Sequence, residues 1–180
     1  AHDFALWCSP DNLSQTRPLS ALPTEAQWEF ASQNAPSGGQ VGTHYPTVEE
    51  PSCENAHVSL RRQCRSRVTA PVCSKGINGN SAEDFFTQTN QDLCDVVGNV
   101  YEWMEDNYGR YNSTPTDGSA YVVTRGRHST YSVIRGGSYL SSRRLLTSYN
   151  RKPMRKHMVK ADIGFRVACP VDNDQGCFDP

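Results

Sequence analysis

The stretch that most constrains this chain is Val97-Gly98-Asn99-Val100-Tyr101-Glu102-Trp103, preceded by Cys94-Asp95 and answered downstream by Arg135-Gly136-Gly137-Ser138-Tyr139. It joins a glycine-permitted turn, a carboxylate on either side of that turn and two large aromatics. This combination suits a buried cation site with oxygen ligands in a loop-rich fold. Each carboxylate also has a plainer use: Glu102 pairing with an arginine, and Asp95 capping a turn.

Composition agrees with a loop-rich domain. The 180 residues are one domain's worth of chain, yet only 36% are hydrophobic, and the mean hydropathy is −0.66. No apolar run is long enough to span a bilayer, and residues 1–7 have neither a basic nor a long apolar leader segment, so the chain reads as mature or as a fragment. Seven cysteines occur without a Cys-x-x-Cys pair, which argues against a zinc ribbon or a thioredoxin-type motif. They read as disulfides formed in an oxidising compartment: secreted, periplasmic or cell-surface. Loop proximity pairs Cys53 with Cys64 and Cys73 with Cys94, each bridge contributing about 3 kcal/mol by constraining the unfolded chain. An odd count leaves one over, and Cys177 is the candidate, free or joined to another chain.

The net charge is −1, but almost every charged residue from 125 to 166 is basic and acidic residues concentrate before them. The simple reading is that the two regions pair with each other. A basic patch for an anionic ligand is the sharper reading, although no nucleic-acid-binding motif is present.

In chain order, residues 1–7 read as the end of an amphipathic helix. Residues 24–31 read as a short buried helix, with Thr24 as N-cap, Gln27 as its capping-box partner, and Trp28 and Ala31 on the inner face. Residues 32–80 read as turns and extended loops, 82–92 as one helical turn. Strands are expected at 121–123, 132–135, 143–149 and 163–167, and residues 171–180 as an acidic tail or linker. Asn12 and Asn112 begin glycosylation sequons.

Four ordered motifs, Leu22-Pro23-Thr24-Glu25-Ala26-Gln27-Trp28-Glu29-Phe30-Ala31, Gly98-Asn99-Val100-Tyr101-Glu102-Trp103, Arg135-Gly136-Gly137-Ser138-Tyr139 and Ile163-Gly164-Phe165-Arg166, resemble the formylglycine-generating enzyme, or sulfatase-modifying factor, family. The resemblance implies an α+β fold, irregular and C-type-lectin-related, with little regular secondary structure and disulfide bracing. It covers residues 1–170 as the later part of a family domain, and so implies a missing N-terminal portion or a second chain. It also implies calcium held by the Asp95 and Glu102 side chains with the Gly98 and Val100 carbonyls. A second family calcium site would begin at Asn55 and Ala56, but Cys64 stands where its aspartate is expected. A family disulfide implies Cys8–Cys169. Family oxidases carry two copper(I)-binding cysteines shortly after the Gly-Gly-Ser motif; the corresponding positions here are Ser141 and Leu146, so no copper is expected.

Three functions follow. The first is a non-catalytic, extracytoplasmic calcium-binding recognition module, its remnant pocket lined by Ser138, Tyr139, Ser141, Ser142, Arg143 and Arg144 and suited to a glycan or peptide. The second is a family enzyme, formylglycine-type or a related metal-dependent oxidase, with an atypical active site, for which His128 and His157 are potential donors. The third is a structural subunit of a processed larger secreted protein. Whether the chain is an enzyme is left open, with the missing cysteines weighing against it.

Overall fold

The computed structural model describes residues 21–34, 45, 50–60, 64, 66–74 and 94–168. The expected helix at 1–7, the turn at 82–92, the Cys8–Cys169 bridge, Cys177 and the tail lie outside the described residues. The described part is a mixed fold with little regular structure: helix α1 (Glu25–Asn34), then strands β1 (Tyr101–Asn107), β2 (Tyr131–Arg135), β3 (Lys152–Arg155) and β4 (Ile163–Gly164). The sheet order is β3-β2-β1-β4. β2 runs antiparallel to β1 and β3, and β4 parallel to β1.

α1 starts where the capping chemistry puts it. The Thr24 hydroxyl accepts from the Gln27 amide at 3.1 Å, and the Gln27 side chain accepts from the Thr24 amide at 3.0 Å, so two otherwise orphaned donors are satisfied reciprocally. Trp28 is then buried against Val96, Met104 and Val133, a burial that contributes about 2–3 kcal/mol. On β1 alternate side chains meet this helix: Glu102 accepts from the Trp28 indole, Met104 packs on its ring, and Asp106 accepts from the Glu25 amide. The other face of β1 and β2 packs Tyr101, Ile134 and Met154 together. A third cluster of Ala56, Val58, Leu60, Val97 and Leu146 lies under the loops.

Three sequence expectations are corrected. Residues 143–149 hold no strand; Arg143–Leu145 is a 3-10 turn that delivers Leu146 to the loop core. The last-but-one strand is instead β3, read from sequence as part of a basic loop. Residues 121–123 are extended but unladdered, because their amides are taken by side chains, Tyr121 by Asp106 and Val123 by Asn107. The loop reading of residues 50–60 and 66–74 holds, as do the Cys53–Cys64 and Cys73–Cys94 bridges.

The acidic and basic regions do pair. Arg135, the last residue of β2, is fully buried and bonds Glu29 of α1, with Glu25 at 3.5 Å. Arg151 forks onto Glu25 and is clamped between the Tyr108 and Tyr111 rings, 4.8 and 4.5 Å from its guanidinium. Arg143 reaches Glu50 at 3.3 Å.

Candidate functional site

Gly98 sits at φ +80 where the chain passes against residues 57 and 58, and an added Cβ would lie 2.5 Å from the His57 carbonyl oxygen. Only glycine tolerates both the backbone conformation and the approach. Asp95 and Asn99 are also left-handed, each at φ 55, so the chain coils tightly between the two carboxylates. The Asn99 amide donates to the His57 carbonyl. Its side chain bonds both the amide and the carbonyl of Ala70, which ties residues 66–74 to the turn.

The expected calcium ligands therefore lie around one turn, with unequal surroundings. Asp95 Oδ2 accepts from the Cys73 amide at 2.7 Å, while Oδ1 is buried without a hydrogen-bond partner. Burial pushes the Asp95 carboxyl above its ordinary range, and Glu102 adds to this; the Cys73 bond, the Arg166 charge and the Asn99 side chain act in the opposite direction. An orphaned buried carboxylate oxygen is a fit for a hard cation. Glu102 is more committed: Arg166 donates to both its oxygens, and Trp28 donates to Oε2 at 2.8 Å. That leaves Oε1 with one acceptor site beyond its arginine bond. Burial alone would lower Arg166, but Glu102 holds it above the ordinary range. Of the two plain readings, Glu102 is paired with an arginine, while the backbone bond that Asp95 makes is to the Cys73 amide, 22 residues back, and not a cap on its own turn.

Asn55 spends its side chain locally, accepting from the Ser52 amide and donating to the Glu50 carbonyl. Ala56 is packed in the loop core and Cys64 is bridged to Cys53.

The six residues expected to line a remnant pocket differ widely in exposure. Ser138, Tyr139 and Ser141 are buried, Arg143 is half-buried, and Ser142 and Arg144 are exposed. Ser141 is only 4% exposed; its hydroxyl accepts from the Ser138 amide and donates to the Tyr101 hydroxyl. Leu146 is fully buried, and its Cδ2 would stand 2.6 Å from a Cβ on Gly137, itself at φ +77. His128 is exposed, its Nδ1 3.0 Å from the Tyr108 carbonyl, and His157 is also exposed.

Sequence reasoning missed a cleft of about 300 Å³ beside α1, lined among others by Glu29, Phe30, Asp106, Tyr111, Pro115 and Ser119. Burial raises the Tyr111 hydroxyl to about 12, so this tyrosine stays a donor, and it donates to Glu29 at 2.9 Å. The signal was divided between the polar face of α1 and the aromatics at 108 and 111, more than seventy residues apart in the chain.

Residues 1–171 match the family described as sulfatase-modifying factor enzyme 1-like domain. Among curated proteins, the serine/threonine-protein kinase Pkn1 of Chlamydia trachomatis is 32% identical over 152 residues, covering 83% of this chain and 21% of the kinase. The formylglycine-generating enzyme of Mus musculus is 26% identical over 150 residues, covering 82% of this chain and 38% of the enzyme. Among solved structures, PvdO from Pseudomonas aeruginosa superposes with a TM-score of 0.60 at 25% identity, over 92% of this chain and 57% of PvdO. Treponema denticola variable protein 1 superposes with a TM-score of 0.55 at 26% identity, over 83% of this chain and 47% of that protein. The chain thus spans between 21% and 57% of the length of these relatives. By the match along nearly all its length and the shared fold, the chain belongs to the formylglycine-generating enzyme, or sulfatase-modifying factor, family.

Proposed function

We propose that this domain is a non-catalytic, extracytoplasmic recognition module, braced by calcium and disulfides on the family scaffold. The observation that carries this reading is the state of the two positions where family oxidases hold copper(I). Ser141 is locked in a buried hydroxyl network and Leu146 is core. A hydroxyl is a poor ligand for a soft ion and an alkyl group is none. Residues 95–168 contain no cysteine, so no thiol replaces them there.

Calcium would be held by Asp95 and Glu102 with the Gly98 and Val100 carbonyls, where it would neutralise the orphaned Asp95 oxygen and stiffen the turn. The cleft beside α1 is the surface we assign to ligand. Its phenol, carboxylate and hydroxyl groups beside the Phe30 ring and Pro115 suit a glycan or a peptide, which need hydrogen bonds and a flat apolar wall together. Relatives named for kinase and formylglycine-generating activities accord with a fold that serves several functions.

The test combines chemistry and binding. Incubated with copper(I), oxygen and a cysteine peptide of sulfatase type, the protein should yield no formylglycine by mass spectrometry. On glycan and peptide arrays it should bind a restricted set, and Tyr111→Ala should reduce that binding. Copper-dependent conversion of the peptide would overturn the reading.

A further inference from the structure

Among the described residues one group places three metal-ligating side chains together. The Cys73 and Cys94 sulfurs and a carboxylate oxygen of Asp95 lie within 4.8 Å of one another, and all three residues are half-buried, within reach of solvent. The sulfurs are bonded to each other. Cys73 and Asp95 both adopt the left-handed conformation, and the Cys73 amide bonds Asp95 Oδ2 while Oδ1 has no partner.

We propose that reduction of the Cys73–Cys94 disulfide turns this covalent tie into a zinc site formed by two thiolates and the Asp95 carboxylate. A dithiol reductant supplies two electrons: the S–S bond breaks, both cysteines become thiols, and the reductant closes into its own disulfide. Zinc then displaces the two thiol protons to solvent and binds both sulfurs. The donor set selects this ion. Two sulfurs are too soft for calcium, and the carboxylate is too hard a third ligand for copper(I), whereas zinc accepts both and leaves its fourth position to water.

The protein around the pair keeps the donors together once the bond is gone. Asn99 still holds residue 70 by two hydrogen bonds, the Cys94 carbonyl still accepts from Arg166, and the Cys73 amide still bonds Asp95. With zinc–sulfur bonds of about 2.3 Å in a tetrahedral site the two sulfurs stand about 3.8 Å apart, inside the 4.8 Å that the three donor atoms already span. The proposal goes beyond the calcium reading and does not depend on it.

The whole chain, reduced anaerobically with dithiothreitol and desalted, would be alkylated with iodoacetamide with and without zinc chloride, and each cysteine followed by peptide mass. Zinc should slow alkylation of Cys73 and Cys94 by about tenfold or more, because a metal-bound thiolate is a weakened nucleophile, and should leave Cys53 and Cys64 unprotected. Asp95→Asn, which keeps the disulfide, should lose most of that protection after reduction. Calcium chloride should not reproduce it. Equal alkylation of Cys73 and Cys94 with and without zinc would overturn the proposal, as would protection that Asp95→Asn leaves intact. The first comparison uses the wild-type chain alone, so a folding defect in the variant does not blur it.

Discussion

Glu102 shows how much one side chain organises. It accepts from the helix through Trp28 and from the far end of the sheet through Arg166, so α1, β1 and the segment after β4 meet on one carboxylate. Trp28→Phe keeps most of the ring packing and deletes one donor to a charged acceptor. It should cost about 2 kcal/mol in urea unfolding; a change under a few tenths would mean that Glu102 finds a replacement donor. Gly98→Ala must strain both the backbone and the contact with residue 57, while Gly118→Ala, at φ +84 with nothing within 4 Å, strains only the backbone. Gly118→Ala should therefore cost about 1–2 kcal/mol, and Gly98→Ala distinctly more by the same measurement. Asp106 tests burial through pH. Burial raises its carboxyl above 3.8 against the opposing bonds from the Tyr121 and Glu25 amides. A raised folded-state value means that the folded protein holds the proton more tightly than the unfolded chain, so this group's contribution is greatest at low pH and is lost as pH rises through the folded value. The stability of wild type relative to Asp106→Asn should therefore increase as pH falls toward 3.8; a decrease would show that the folded state favours the ionised form. Among these residues the sequence made local pairs readable: Thr24 and Gln27 are three apart and their capping geometry follows from spacing. Glu102 and Arg166 are sixty-four apart, and no local pattern tells which of many arginines reaches the carboxylate.

At the scale of elements, α1 depends on its first turn. Its amide donors are taken by Thr24 and by Asp106 from the sheet, so Thr24→Ala should cost about 1 kcal/mol, measured by chemical denaturation; no loss would mean that the Asp106 bond alone fixes the start. The strands divide into legible and illegible cases for a physical reason. β2 is β-branched and buried on both faces, Val133 and Ile134 facing opposite clusters, and its apolar run announces it. β3 is an edge strand with only Met154 buried. Its lysine, proline and arginine are the residues that keep an exposed edge from pairing with other chains, so it reads as a loop. Residues 143–149 err the other way: Leu145 and Leu146 give strand-like hydrophobicity, but the backbone closes i to i+3 bonds from Ser142 and Arg143, and Leu146 is a loop-core plug.

At the scale of the whole molecule, apolar packing among the described residues is supplemented by cross-links and by charges that pair across the fold. Among the described residues three small clusters share the core, and Glu25, Glu29 and Glu102 meet Arg135, Arg151 and Arg166 between elements distant in sequence. The family was legible because its motifs are the residues that close this frame: the capping box, the Gly98 turn, the Gly136-Gly137 turn and Arg166. The cleft beside α1 was not, because its lining comes from segments with no shared periodicity. The frame holds the turn proposed for calcium and buries Ser141 and Leu146, the positions proposed to have lost copper, so metal content decides between the two readings. Protein purified in its disulfide form, gel-filtered with calcium and copper(I) both offered, should carry one calcium per chain, lost in Asp95→Asn, and no stoichiometric copper. Retention of one copper per chain, with or without calcium, would contradict it.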